Sequence, residues 1–155
     1  MKTLLMSLIL SLCILGNAQN YGLKKTAWER WGKSVAVAGI QVTSIALEAW
    51  GDAEFDMGNK ILGHSLQAAS VGVLVAAIPA LHLGKNDVIA FSLSYLGWRV
   101  GTFDAFYNQA RGLPWDYIGN TCNYDKVMSK IPPFGRSTIK GWCIGMTIGL
   151  TIKEF

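Results

Sequence analysis

The hydrophobic pattern of the chain predicts four helices that follow an apolar N-terminal segment. Residues 34–50 are mostly small and apolar, and residues 61–84 form the longest apolar stretch. Residues 88–110 and 138–153 have the length and composition of two further helices. The predicted connections are an acidic segment at 51–60, a short turn at 84–87 and a long loop at 111–137. This pattern predicts an all-α fold.

Local signals define the predicted helix ends. Pro79 predicts a kink or an end near the far side of the second helix, because proline removes a backbone hydrogen bond. Asn86 or Asp87 is the expected N-cap of the third helix. The loop at 111–137 mixes prolines, glycines and aromatic side chains, so we expect it to fold back on the helices.

The first helix carries a polar stripe. Gln41, Ser44 and Glu48 are spaced by three and four residues, which places them on one helical face. Trp28, Trp31 and Trp50 bracket this helix, as residues at a membrane interface do. These features predict a helix with a polar stripe, which suits either an inserted helix or a helix of a soluble bundle.

Small residues recur every four positions in two helices, a spacing that allows close helix packing. The predicted packing positions are Ala68, Gly72 and Ala76 in the second helix and Gly141, Gly145 and Gly149 in the last.

Composition favours a membrane location. Of the 155 residues, 51% are apolar and only 15% are charged, against about 25% charged in typical globular domains. We therefore predict a membrane-embedded four-helix bundle, with a soluble or peripheral periplasmic bundle as the alternative. Only residues 61–84 are long and apolar enough to span a bilayer without support from other helices. The basic residues are scattered along the chain, so no nucleic-acid partner is expected.

The N-terminal residues 1–18 resemble an export signal in composition. Lys2 precedes an apolar run from Thr3 to Gly16, and cleavage after Ala18 is expected. An uncleaved anchor is the alternative. Cleavage of the signal removes Cys13 and leaves Cys122 and Cys143. We favour free thiols over a disulfide between these two cysteines.

Helix alternation predicts a polar cluster on one side of the membrane. The ends of the first and third helices and the start of the second meet there, whether that side is cytoplasmic, as a cleaved signal implies, or external. The expected members are Glu48, Asp52, Asp56, His64, Arg99, Asp104, Tyr107 and Asn108. Arg99 lies within an apolar helix and therefore needs a partner. Glu48 is a better partner than Asp104, which points about 140° away around the same helix.

Candidate chemistry in this cluster is limited. His64, Asp104 and Arg99 are the candidate catalytic residues, with His64 as a base, a carboxylate as an acid and Arg99 as an anion-binding group. No cofactor is expected, although His64 with nearby carboxylates offers an alternative site for a divalent metal. The sequence contains no GxSxG motif, phosphate-binding loop, CxxC motif or dinucleotide fingerprint.

Three functions are consistent with this pattern. The first is a non-enzymatic membrane or cell-envelope protein whose partners are the lipid bilayer, a second copy of the chain or another envelope protein. The second is a membrane-embedded hydrolase or lipid-modifying enzyme that uses His64 and nearby carboxylates. The third is a small transporter or channel subunit in which Arg99 and Glu48 line a pathway.

Overall fold

The computed structural model describes residues 27–119 and 123–155 and contains five helices in these ranges. The helices are α1 (Ala27–Asp56), α2 (Lys60–Ala80), α3 (Lys85–Ala110), α4 (Asn123–Met128) and α5 (Pro133–Glu154). The described ranges contain no strand, so the all-α prediction is confirmed. The predicted signal at 1–18 and Cys122 lie outside the described residues, whereas Cys143 is a free thiol.

Helix α1 extends beyond the predicted boundary at residue 50 and continues to Asp56. The acidic segment is helical because its small residues pack inward, and Ala53 is fully buried. The connection to α2 shrinks to residues 57–59. Gly58 adopts a left-handed conformation there, with φ at 92°. The carboxylates predicted to lie in a loop are therefore held on a rigid helical face.

The ends of α2 and α3 differ slightly from the prediction. Helix α2 ends at Ala80, one residue after Pro79. The N-cap position of α3 is Gly84 rather than Asn86 or Asp87. Asp87 lies in the first turn, and its carboxylate accepts a 3.2 Å hydrogen bond from the Gly84 backbone N–H. Its negative charge also suits the positive end of the helix dipole.

The predicted loop at 111–137 contains two helical segments that the apolar pattern missed. The short helix α4 interrupts it, and α5 begins at Pro133 instead of residue 138. Proline favours the first position of a helix because its missing N–H has no partner there anyway. Helix α5 therefore has 22 residues and is longer than the segment 138–153 predicted from the sequence.

The four long helices alternate in direction, with α1 in contact with α2, α3 and α5. Lys33 at the start of α1 lies 3.4 Å from Asp87 at the start of α3. Ser34 donates a hydrogen bond to the Thr151 carbonyl near the end of α5. The opposite end of the molecule therefore collects the end of α1, the start of α2 and the end of α3.

Glycines mediate the closest helix contacts, at positions other than those predicted. A Cβ on Gly63 of α2 would lie 2.8 Å from the Gly51 carbonyl oxygen of α1. Gly97 and Gly101 of α3 similarly face Thr147 and Ile144 of α5. The predicted packing residues have exposed side chains or open space instead: Ala68, Gly72, Ala76, Gly141, Gly145 and Gly149. Their spacing is compatible with packing, but their faces point away from the described helices.

The interior contains many polar side chains, and the surface contains many large apolar ones. Buried polar residues are Ser34, Gln41, Ser44, Ser70, Ser94, Asn108, Thr147 and Thr151. Exposed apolar residues include Val71, Val75 and Ile78 of α2, Ile89, Leu93 and Leu96 of α3, and Trp142, Met146 and Ile152 of α5. Two segments, Trp31–Asp56 and Lys60–Ala80, have the length and composition of a membrane span, criteria that some core helices of soluble proteins also meet.

Candidate functional site

Polar side chains on one face of α1 make a series of contacts with α2 and α3. We call this series the ladder; its members on α1 are Gln41, Ser44, Glu48, Asp52 and Asp56, and it begins in the buried middle of the helix. Gln41 Nε2 donates to the Phe91 carbonyl at 2.7 Å and to the Ser94 hydroxyl at 2.8 Å on α3. The Ser44 hydroxyl lies 2.9 Å from the Ser70 hydroxyl on α2. Gln41, Ser44 and Ser94 have no exposed surface. These contacts satisfy polar groups that would be costly to bury alone, and they fix α1 against both neighbours.

The next contact of the ladder is the predicted ion pair between Arg99 and Glu48. Arg99 Nη2 lies 2.7 Å from Glu48 Oε1, and Arg99 Nε lies 3.2 Å from Glu48 Oε2. The Tyr95 hydroxyl also donates to Glu48, at 3.0 Å. On its other side, the guanidinium lies 4.6 Å from the centre of the Phe103 ring. Arg99 is therefore held by a bidentate carboxylate contact and by a cation–π contact.

Asp52 occupies the following turn of α1. Gln67 Nε2 of α2 donates a 2.6 Å hydrogen bond to Asp52 Oδ1. Within the described residues Asp52 belongs to no ion pair. The carboxylate is thus oriented by a neutral amide and has no cationic neighbour at contact distance.

Asp56 ends the ladder in a cluster with Tyr107 of α3 and Arg111, the residue that follows α3. The Tyr107 hydroxyl donates a short hydrogen bond to Asp56 Oδ2, and Arg111 Nη1 lies 3.2 Å from the same oxygen. Arg111 Nη1 also donates to the Tyr107 hydroxyl at 2.9 Å. Tyr107 lies in the last turn of α3, outside both candidate spans. Burial and the Asp56 carboxylate raise the pKa of this phenol, so Tyr107 acts as a neutral donor.

These polar turns open into a cavity of about 630 Å³, within the usual size range of small-molecule sites. The helical lining residues are Asp52, Phe55 and Asp56 of α1, His64 and Gln67 of α2, Phe103, Asp104, Tyr107 and Asn108 of α3, and Asp125 of α4. Arg111, Leu113, Tyr117, Ile118 and Gly119 complete the wall.

Asn108 holds the loop that closes one side of the cavity. Its side chain is buried, and Nδ2 donates to the carbonyl oxygens of Trp115 at 3.2 Å and of Tyr117 at 2.8 Å. The Leu113 backbone N–H donates to the Asn108 carbonyl at 2.8 Å. Residues 113–117 therefore fold back against the end of α3, and Asn108 is an anchor of the wall rather than a free ligand group.

The cavity lining has an excess of negative charge. Four aspartates line it, at 52, 56, 104 and 125, against the single guanidinium of Arg111. Asp104 pairs with Lys140 of α5 at 2.7 Å, and Asp56 pairs with Arg111. Asp52 is the aspartate of α1 that adds an uncompensated charge. The site therefore favours cations over anions.

His64 lines the cavity, but its contacts give no support for a catalytic base. Its ring packs edge-on against Phe55, with centroids 5.3 Å apart. Within the described residues no carboxylate lies at ion-pair distance from His64, and no group of three His, Cys, Asp or Glu side chains is arranged to hold a metal. Arg99, the third catalytic candidate, is absent from the wall and is committed to Glu48.

Most of the predicted polar cluster comes together in the structure. Asp52, Asp56, His64, Asp104, Tyr107 and Asn108 line the cavity, and Glu48 and Arg99 lie next to it in the ladder. The aromatic walls Phe55 and Phe103, the amide of Gln67 and the guanidinium of Arg111 were missed as site residues. Two of them, Phe103 and Arg111, have a sequence signal: Arg99, Phe103, Tyr107 and Arg111 recur every four residues along α3 and its C-cap.

Comparisons with protein-family models, with curated proteins and with solved structures gave no match for this chain. Its function is therefore inferred from the chemistry of the cavity and of the surface.

Proposed function

We propose that this chain is a small helical membrane protein of the cell envelope that uses the cavity at one end of its helices as a binding site. The carrying observation is the distribution of polarity. Buried polar side chains such as Gln41, Ser44 and Ser94 pair between the helices, whereas large apolar side chains cover the outside of α2, α3 and α5. In water this arrangement is costly, but in a bilayer polar groups prefer the protein interior and apolar groups face lipid.

Helix α2 supports this proposal most directly. It has the length and composition of a membrane span, yet only 17% of its most apolar segment is buried within the fold. Val71 and Val75, in the middle of the helix, are 60% and 61% exposed. The core helix of a soluble protein would be covered on at least one wide face. A bilayer would cover the exposed face of α2 along its whole length.

The cavity favours a binding role over catalysis or conduction. His64 has no acidic partner within the described residues, so the hydrolase hypothesis gains no support from the contacts of this histidine. The part of the ladder farthest from the cavity is closed to solvent, because Gln41, Ser44 and Ser94 have no exposed surface. This packing supports a pocket that is closed at depth rather than a path through the molecule.

A pair of lysine substitutions in α2 tests the membrane proposal. Val71→Lys puts a charge in the middle of the exposed apolar face, whereas Ile61→Lys puts the same charge one residue from the helix start, where Ile61 is 86% exposed. In a bilayer the central lysine costs about 2.5–3.5 kcal/mol, so Val71→Lys should reduce the fraction that resists carbonate extraction and floats with lipid vesicles. Ile61→Lys should behave like the unmodified protein, because a lysine at a helix end can reach the interface.

Two outcomes would contradict the proposal. One is release of the unmodified protein into the carbonate supernatant. The other is equal solubility and stability of both lysine variants, as expected of a water-exposed face. In either case α2 would be covered by another protein or by water, and the envelope location would lose its physical basis.

A further inference from the structure

Two facing rows of side chains lead to the cavity and differ in their middle turns. Glu48, Asp52 and Asp56 recur every four residues on α1. Arg99, Phe103 and Tyr107 recur every four residues on α3, and Arg111, directly after the helix, continues the spacing. The outer carboxylates are both paired with arginine, Glu48 with Arg99 and Asp56 with Arg111. The middle of the α3 row offers aromatic rings instead of a cation.

Asp52 is therefore a carboxylate with a cationic partner missing. It lines the cavity, and the neutral amide of Gln67 donates a hydrogen bond to its Oδ1 at 2.6 Å. The same amide fixes the orientation of the carboxylate and leaves Oδ2 without a hydrogen bond among the described residues. A charge removed from bulk water in this way is stabilised by an arriving cation.

The walls around Asp52 select the type of cation. Phe55, Phe103 and Tyr107 line the same cavity, and aromatic faces attract ammonium groups, particularly alkylated ones. Phe103 already makes such a contact with the Arg99 guanidinium, at 4.6 Å from the ring centre. A divalent metal would want several oxygen or nitrogen ligands in a compact set, and the described residues form no such set.

We propose that the cavity binds an organic ammonium group, with the Asp52 carboxylate as its counter-ion and the rings of Phe55 and Phe103 as its walls. A volume of about 630 Å³ exceeds what a lone ammonium group fills, so the ligand carries further atoms beyond the cation. An ethanolamine or choline headgroup of a lipid and a free soluble amine share this chemistry. This inference deepens the proposed function because it names the ligand class of the same site.

Titration calorimetry on the full chain in a maltoside detergent, which carries no amine, tests the proposal. The probes are choline, ethanolamine and 3,3-dimethyl-1-butanol, a neutral analogue of choline with nearly the same shape. Choline or ethanolamine should bind, and the neutral analogue should bind at least about tenfold more weakly because it cannot pair with a carboxylate. Equal binding of choline and its neutral analogue, or binding of none of the three probes, would overturn the proposal.

Two variants assign the binding to particular residues. Asp52→Asn keeps the size of the side chain and an oxygen that can accept from Gln67, but it removes the charge. It should weaken choline binding by about tenfold or more. The matched control is Asp87→Asn at the opposite end of the molecule, which should leave binding unchanged. Should Asp52→Asn fail to fold, Phe103→Leu provides a second test: it should weaken choline more than ethanolamine, since the methylated cation gains more from the ring. Unchanged binding in a folded Asp52→Asn, or equal loss of both ligands in Phe103→Leu, would contradict the assignment.

Nanodiscs separate the two ligand sources. Protein in discs of pure phosphatidylglycerol should bind added choline or ethanolamine. Discs with phosphatidylethanolamine should block that binding if the ligand is a lipid headgroup and leave it intact if the ligand is a soluble amine. Failure of the ammonium site leaves the lysine test of α2 unaffected. Conversely, if carbonate releases the protein but the protein still binds amines, the ammonium site is supported and the membrane location is contradicted.

Discussion

The Arg99 guanidinium donates hydrogen bonds from Nε and Nη2 to both carboxylate oxygens of Glu48, at distances between 2.7 and 3.3 Å. This contact joins α1 to α3 next to the cavity, and both side chains remain partly accessible. Removing one partner leaves the other charge without compensation. We therefore expect Arg99→Met or Glu48→Gln alone to lower the free energy of unfolding by about 1–3 kcal/mol, less than for a fully buried pair.

The double variant Glu48→Gln with Arg99→Met is the control for this prediction. It removes both charges, so its stability should be higher than that of Arg99→Met alone. Thermal unfolding in detergent, followed by circular dichroism, measures all three variants. Additive losses in the double variant would show that the two side chains act independently.

Two glycines of α2 should respond to alanine in opposite directions. Gly63 approaches the α1 backbone so closely that a new Cβ would lie 2.8 Å from the Gly51 carbonyl oxygen. Gly63→Ala must therefore separate the helices and should cost about 1–3 kcal/mol. Gly72 has open space at the Cβ position, so Gly72→Ala should be neutral or stabilising by up to about 1 kcal/mol through helix propensity. Melting temperatures of the two variants in one detergent make the comparison, and equal shifts would contradict the contact at Gly63.

Asn108 should control the mobility of the loop that bounds the cavity. Its amide donates to two loop carbonyls, those of Trp115 and Tyr117. Asn108→Ala removes both hydrogen bonds and should cost about 1–3 kcal/mol. Hydrogen exchange measured by mass spectrometry should become faster at residues 111–119 while α1 keeps its protection. Asn86→Ala, at an exposed position, serves as a control and should leave exchange unchanged. Faster exchange throughout the Asn108→Ala protein, and not only at residues 111–119, would instead show a general loss of stability.

Alkaline titration should show that the Tyr107 phenol ionises late. Burial and Asp56 raise the pKa of Tyr107 above its ordinary value of 10.0. Because the raised pKa belongs to the folded state, the associated stability is fully present below pH 10 and is lost as pH rises through the folded pKa. Absorbance at 295 nm should show a late-titrating component in the native protein that is smaller in Tyr107→Phe and absent from protein unfolded in guanidinium. A Tyr107→Phe curve identical to that of the native protein would contradict the shift.

The fold class and the convergence of polar residues could be predicted because both follow from periodicity. Alternating helices bring Asp52, His64 and Asp104 to one end, whatever the details of packing. The extension of α1 to Asp56 was missed because a run of acidic residues resembles a loop when the buried Ala53 between them is overlooked. The start of α5 was missed because Pro132 and Pro133 were assigned to the loop, although proline also opens helices.

Which glycines pack could not be deduced from spacing alone. Gly141, Gly145 and Gly149 repeat as regularly as any packing motif, yet Gly97 and Gly101 are the glycines that α5 contacts. A repeat defines a smooth face but not the neighbour that covers it. The cavity walls required three-dimensional information for a similar reason, since Phe55 and Phe103 are unremarkable apolar residues until the charges around them are placed.

The two arginine–carboxylate pairs together fix the position of α3 along α1. Glu48 and Asp56 are separated by about 12 Å along α1, whereas Arg99 and Arg111 are separated by about 18 Å along α3, at 1.5 Å per residue. The two guanidinium groups must therefore reach towards each other to meet their carboxylates. Sliding α3 in either direction would lengthen one of these reaches, so the opposing arginines resist displacement both ways. The two helices therefore keep their alignment where they border the cavity.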